Sequence, residues 1–315
     1  YAILAGLIQL SLPIGIQSVV NFVLGGTFSA SLVVLIIAVV AGVLVTGLMY
    51  INQMKLIEKI QQILFVRYTQ EIANKLPVID LKRSNDFYLP ELTNRFFEIP
   101  ALQKGLSKLL LEFPTASIQI LFGLILLSFY HPAFILFGIL LVVILGTILY
   151  YTGARGLTSS IEESTQKYSL AAWLEEMARG VKAFKFEPDG PVLTQNSEQR
   201  TIRYLDKRTQ HFRVLLFQYR ILVFFKTTIT AAMLLVGSIL LLDQQLNIGQ
   251  FIAAEIVILI VIGAVEKLIG NLDSVYDVLT SVDKMAKLTE KPEEQSGRLP
   301  MPWRKEGITI ELQQL

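Results

Sequence analysis

The hydrophobic positions of this chain follow two patterns that alternate along its length. Six runs of about twenty residues or more are almost wholly apolar, at 1–24, 29–52, 106–130, 132–152, 214–242 and 249–269. A helix of that length spans the hydrocarbon core of a bilayer, about 30 Å at 1.5 Å per residue. The runs form three pairs. Within each pair the connection is tiny: 25–28, His131 and 243–248. Between pairs it is long, at 53–105 and 153–213. The long connections keep a helical period. Ile57, Ile60, Leu64, Tyr68, Ile72 and Leu76 recur every three or four residues, which puts them on one helical face. The second run is therefore expected to continue as a helix beyond the membrane. Residues 156–186 hold no proline and read as helix. Pro188-Asp189-Gly190-Pro191 then breaks the chain as a turn, and a new helix from Val192 leads into the fifth run. The expected fold is all-α: six transmembrane helices with long helical extensions.

The cations test this map. Of 28 Lys and Arg residues, none lies in a short connection; eight lie in 53–105, ten in 153–213 and seven after Glu266. Lys108, Arg220 and Lys226 fall at one end of the third and fifth spans. Cytoplasmic segments carry such an excess, so both termini and both long connections are expected in the cytoplasm. A soluble bundle has no reason to sort its cations this way.

Composition narrows the chemistry. Hydrophobic residues are 53%, or about 56% when Gly is counted and Tyr is not, and charged residues are 17%, against about 45–50% on that second count and about 25% in soluble domains. No cysteine is present, which excludes disulfides, thiol nucleophiles and Cys-based zinc or iron–sulfur sites. A net charge of +2 gives no footing for a nucleic-acid partner. His131 reads as a solvated turn residue and His211 as an exposed residue of an extension helix, and two isolated histidines make no metal site. Pro13 and Pro114 are expected to kink the first and third spans, which membrane helices tolerate.

Several local strings resemble the transmembrane domain of ABC exporters of the six-helix, domain-swapped type. Leu12-Pro13 followed by Val20-Asn21-Phe22-Val23-Leu24 resembles the family's first-helix ending, with Asn21 where Asp is common. Trp173-Leu174-Glu175-Glu176-Met177-Ala178-Arg179-Gly180-Val181-Lys182-Ala183 resembles its second cytoplasmic loop. Leu246-Asn247-Ile248-Gly249-Gln250-Phe251-Ile252-Ala253-Ala254 resembles the start of its sixth helix. Residues 277–288 followed by Lys291-Pro292-Glu293-Glu294 resemble its connector to a nucleotide-binding domain. Among subfamilies the chain is most similar to bacterial peptide and protein exporters of the haemolysin and bacteriocin type. The resemblance implies a transmembrane domain at 1–290, a linker at 291–306, and the start of a truncated nucleotide-binding domain at 307–315, where Gly307-Ile308-Thr309-Ile310-Glu311-Leu312 alternates like a strand. Tyr1 is not a methionine, and both ends read as cuts. No Gly-Lys dipeptide occurs, so no P-loop is present. The resemblance places ATP and Mg²⁺ in the missing domain and no cofactor in this chain. It implies as partners the lipid bilayer, a second transmembrane half (a second copy or a paralogue), nucleotide-binding domains and, in some relatives, a periplasmic adaptor. It implies a bacterial inner membrane.

The resemblance also implies two coupling segments that dock on nucleotide-binding domains. The first maps onto 89–97, with Pro90, Glu91, Leu92, Arg95 and Phe96; Pro90 suits a first turn and Glu91 its positive end. The second maps onto 172–178, with Trp173, Leu174, Glu175, Glu176 and Met177. The alternative is that Trp173 and Phe96 pack between extension helices. Within the spans, Gln9, Gln17 and Asn21 lie close to one helical face and Gln119 shares a face with Thr115. Such residues line a pathway or bond helix to helix. Counting from the short-turn end, Lys226, Glu266 and Glu112 lie about 24, 26 and 27 Å deep, at one level where an ion pair is expected. Glu255 lies about 9 Å deep with no basic residue at its level, and is the outlying candidate for a functional carboxylate. The competing classes are a six-span secondary transporter or channel, which would show inverted repeats and broken helices, and a membrane enzyme, which would show a catalytic constellation. Neither pattern is visible.

Overall fold

The computed structural model describes residues 1–26, 30–80, 93–186 and 191–294, and the fold is stated for these. Their regular elements are helices: α1 (Ala2–Leu24), α2 (Ala30–Lys75), α3 (Glu98–Tyr130), α4 (Ala133–Arg179), the short α5 (Val181–Phe184), α6 (Pro191–Leu242), α7 (Ile248–Gly270) and α8 (Leu272–Thr289), with 3-10 turns at Leu76–Val78 and Asn94–Phe97. Six helical stretches are long and apolar enough to cross a membrane. In lipid only a helix or a closed barrel satisfies the backbone internally, and these apolar runs take the first solution.

The extensions are continuous with the spans. Helices α2, α4 and α6 hold 46, 47 and 52 residues, so each is about 70–80 Å long, more than twice a hydrocarbon core. The face expected on α2 is the one turned inward: Ile57 and Ile72 are buried, and Ile60, Leu64, Tyr68 and Leu76 are half-buried. The helix expected over 156–186 breaks at Gly180, whose N–H still reaches the Glu176 carbonyl at 2.8 Å. Glycine is among the weakest helix formers, and the chain restarts there as α5. Residues 188–190, where a turn was expected, lie outside the described residues, as do Pro90, Glu91, Leu92 and 295–315.

Helices α4 and α6 form a long antiparallel hairpin whose register can be read from its cross-bonds. Gln218 Nε2 donates to Thr152 Oγ1 at 2.7 Å, Ser159 Oγ meets His211 Nδ1 at 2.8 Å, and Trp173 Nε1 donates to Ser197 Oγ at 2.9 Å. Lys207 pairs with Glu162 at 2.7 Å and Arg208 with Glu163 at 2.8 Å. In each pair the two residue numbers add to within one of 370, so the helices run in step for over twenty residues. Helix α3 packs along α7 and then α8, and α1 packs against α2, α3 and α7.

Two apolar clusters result. The larger joins α3, α4, α6 and α7 through residues such as Leu127, Phe134, Leu222, Met233 and Val257. The smaller lies in the extensions and joins Ile72, Ile79, Ile99, Leu102, Met285 and Leu288. An antiparallel bridge between Ile79 and Glu293 closes that end, with Asp80 N–H on Pro292 O at 2.9 Å and Glu294 N–H on Val78 O at 2.7 Å. At the opposite end His131 Nε2 meets Gln245 Oε1 at 3.0 Å, tying two short turns together.

Candidate functional site

The extension helices converge on a polar junction built around Glu98. This residue opens α3, where the positive end of the helix favours a carboxylate. It is buried, and three donors meet it: Tyr168 Oη at 2.5 Å, Ser281 Oγ at 2.7 Å and Lys167 Nζ at 3.2 Å. Burial alone would push its carboxyl up. The bonds from Ser281, Tyr168 and Lys167 outweigh burial and hold it below the ordinary value. One carboxylate thus joins α3 to α4 and to α8.

Lys284 lies on the same side of α8. It is 2% exposed and donates to Thr165 Oγ1 of α4 at 2.7 Å. Burial, with Arg95 and Lys287 nearby, lowers its ammonium to about 8. Arg95 is itself buried, its guanidinium 3.9 Å from the Tyr168 ring centroid. Ser160 and Thr280 hydroxyls meet at 2.9 Å, and Tyr276 Oη accepts from Gln218 Nε2 at 2.8 Å. Close approach here depends on Gly156, where a Cβ would stand 2.2 Å from Tyr276 Cζ. A cavity of about 520 Å³ opens beside the junction, lined on α4 by Glu163 and Lys167, on α6 by Arg208 and His211, and on α8 by Asp273 and Asp277. His211, expected on an exposed face, is 6% exposed between Ser159 Oγ and Asp273 Oδ1, the latter at 3.3 Å. Its bond holds the Asp273 carboxyl below its ordinary value, against the opposing effect of burial.

The two predicted coupling segments meet. Asn94 Nδ2 donates to Glu175 Oε1, joining the turn Asn94–Phe97 to the last turns of α4. Trp173 faces α6 through its bond to Ser197, with the Arg200 guanidinium 5.5 Å from its ring. Phe96 packs edge-on against Phe65 at 5.8 Å. Met177 is half-buried, whereas Leu174 and Glu176 are exposed, as is the neighbouring Phe97. Residues 172–178 are not a separate short helix: α4 runs unbroken through them to Arg179.

In the spans, Gln119 Nε2 donates to Gln9 Oε1 at 2.6 Å and Tyr130 Oη to Gln17 Oε1 at 2.9 Å. Asn21 is exposed at one edge, and Gly249 of α7 passes so close that a Cβ would stand 2.3 Å from its Oδ1. Glu255 is half-buried, and its Oε1 is sealed with no hydrogen-bond partner among the described residues. Lys226 Nζ pairs with Glu266 Oε2 at 2.9 Å. Glu112, at the same depth, instead accepts from Asn271 Nδ2 at 2.7 Å. Asn271 is the residue where α7 ends and α8 begins, so Glu112 braces that break.

Sequence reasoning missed Glu98, Lys284, His211 and Tyr276. No local sequence pattern marks these polar side chains as buried; only the α4–α6 register and the α3–α8 contact bring them inward. Among the described residues no three His, Cys, Asp or Glu side chains cluster as metal ligands. Comparison with known proteins adds one finding. The pattern of the family described as ABC transporter transmembrane region matches residues 1–265, most of the chain. No curated protein matches the sequence.

Proposed function

The chain belongs to the ABC transporter transmembrane family, and from that premise we propose that it is the membrane-spanning half of an ATP-driven exporter. It forms the substrate pathway and couples it to an ATPase domain. The family match carries this reading. The supporting geometry is the Asn94–Glu175 bond, which puts both predicted coupling segments on one platform, and the Glu98 junction, which ties that platform to α8.

In this reading both termini and both long connections are cytoplasmic, because the cations sort to that side. The transmembrane domain covers 1–290, the linker 291–306, and 307–315 opens the nucleotide-binding domain. Arg95, Phe96, Trp173, Leu174, Glu175, Glu176 and Met177 belong to the docking platform, with Pro90, Glu91 and Leu92 completing the first segment. Leu174, Glu176 and Phe97 are the exposed members and make the outer contact; Arg95 and Trp173 hold the platform from within. Two copies, or one copy and a paralogue, enclose a pathway lined by Gln9, Gln17, Asn21, Gln119 and Glu255. The substrate is a peptide or protein, and the membrane is a bacterial inner membrane.

The test begins with the native polypeptide, sized by immunoblot with an antibody to 153–213. A band well above 35.3 kDa places the ATPase on the same chain; a band at that mass sends the search to a separate subunit. Residues 1–315 hold no cysteine, so Leu174→Cys or Phe97→Cys gives this part of the protein a single reactive thiol. Cross-linking of that thiol to the ATPase domain, changing with ATP, is the expected result. Absence of ATP-driven peptide uptake into inside-out vesicles, with the ATPase present, overturns the reading.

A further inference from the structure

Of the cavities among the described residues that lie wholly at membrane level, the one between α4 and α6 is larger than the one between α1 and α3. It is a groove of about 390 Å³. Its lining is almost purely apolar and rich in aromatics, with Ile144, Ile148 and Tyr151 on α4 and Phe217, Phe224 and Phe225 on α6. Along α4 it runs from Leu140 to Thr152, about 18 Å at 1.5 Å per residue, close to the depth of one leaflet of a core about 30 Å thick. Tyr151 is 66% and Phe224 74% exposed, so the groove opens sideways rather than into the bundle.

The stripe that forms each wall continues into arginine at the end that carries the extensions. On α6 the series Arg213, Phe217, Arg220, Phe224 steps by four, three and four, which is one helical face. On α4 the series Ile144, Ile148, Tyr151, Arg155 steps by four, three and four. The Thr152–Gln218 bond sets the level. Counted from it, Arg220 lies about 3 Å toward the membrane centre, Arg155 about 4.5 Å outward and Arg213 about 7.5 Å outward. All three are exposed, and none makes a hydrogen bond or ion pair with a described residue. Arg220 lies within the span of α6, whereas Arg155 and Arg213 lie just beyond the span ends, at the headgroup level; together they form a basic patch at the mouth of an intramembrane groove, the complement of a lipid phosphate. Lys226, one level deeper, is already taken by Glu266.

We propose that the α4–α6 groove is a binding site for an anionic phospholipid, with an acyl chain along Ile144, Ile148 and Phe224 and the phosphate held by Arg155, Arg213 and Arg220. The orientation proposed above decides only which leaflet supplies the lipid, here the cytoplasmic one. Binding itself is independent of export, of the ATPase and of the substrate.

The full-length protein is reconstituted in phosphatidylcholine vesicles containing a trace of chain-spin-labelled phosphatidylglycerol or, separately, chain-spin-labelled phosphatidylcholine, present in both leaflets. The motionally restricted fraction of the label reads contact with protein. A preference of about tenfold for the anionic lipid is expected from three arginines at the headgroup level. It should vanish in Arg155→Gln/Arg213→Gln/Arg220→Gln and persist when the same three become lysine. It should also fall in Thr147→Trp/Thr228→Trp, which fills the groove and leaves the arginines in place. Should the glutamine variant fail to fold, the lysine and tryptophan variants still decide. No preference in the unmodified protein overturns the proposal. So does a preference that survives the glutamine variant, or one that ignores the tryptophans, which would be plain surface charge. Disulfide formation between copies carrying Thr147→Cys would show a second copy in the groove and overturn it as well. A failure of ATP-driven export leaves all these readings intact.

Discussion

The two halves of this molecule hold their helices together by different means. In the spans, contacts are mostly apolar, and the interhelical polar bonds are few, among them Gln9 with Gln119, Gln17 with Tyr130, Thr152 with Gln218 and Lys226 with Glu266. In the extensions, a small apolar cluster is overlaid by buried polar groups from three helices that share one carboxylate. The difference follows from the surroundings. Lipid tails are as apolar as leucine, so helices in the membrane associate by shape and close approach rather than by the hydrophobic effect. Outside the membrane, water competes for every polar group, and a bond contributes only where burial excludes it. The junction at Glu98 is such a place, and it is where α3, α4 and α8 must move as a unit if ATP-driven motion is to reach the spans.

The comparison breaks most readily at Glu98. Glu98→Ala leaves the buried hydroxyls of Tyr168 and Ser281 without their shared acceptor, and a loss of about 3 kcal/mol is expected from the two unsatisfied groups. Thermal unfolding in detergent measures it, and Glu98→Gln should lose less because its one amide oxygen can still accept one of the two hydroxyl bonds. Lys284 provides the next test. Its ammonium titrates at about 8 in the folded chain and at its ordinary 10.5 when unfolded. The unfolded chain therefore binds more protons between those values, and stability should rise with pH across that window. The rise is bounded at about 3 kcal/mol, from about 1.4 per pH unit. Lys284→Met should flatten the Tm difference between pH 7.5 and 9.5, conditions chosen to lie within about one and a half units of the folded value; an unchanged slope would mean that Lys284 is not the group responsible.

Gly156 probes the packing between α4 and α8. Tyr276 is buried and held by Gln218, so it cannot yield to a methyl group 2.2 Å away. Gly156→Ala should cost about 2 kcal/mol as overpacking, and Tyr276→Ala in the same chain should restore part of it. The smallest effect is expected in the spans. Gln119→Leu removes one interhelical bond in lipid and should cost about 0.6 kcal/mol. A larger loss there than at Glu98 would reverse the contrast between the halves.

How far the fold was legible varied with the kind of question. The six spans, the continuation of α2 along the Ile57–Leu76 face and the helical character of the long connections were all readable, because period and run length are properties of single helices. The break at Gly180 was not anticipated, since a lone glycine is tolerated inside many helices. His211 read as exposed because it lies between the charged residues Arg208 and Arg213 on an extension helix; it is buried because α6 turns that face toward Ser159 and Asp273. Depth arithmetic put Lys226, Glu266 and Glu112 at one level and could go no further. The structure pairs Lys226 with Glu266 and gives Glu112 to Asn271.

That last case marks the division. The sequence by itself determined which segments enter lipid, which end of each carries the cations and how far each helix extends, because transfer from water and helical rise act along one dimension. Only the tertiary structure decided which groups meet, since that depends on the rotation of each helix about its axis and its register against helices tens to hundreds of residues away. Glu98, Tyr168 and Ser281 come together from three helices for that reason, and so do the three arginines at the mouth of the α4–α6 groove.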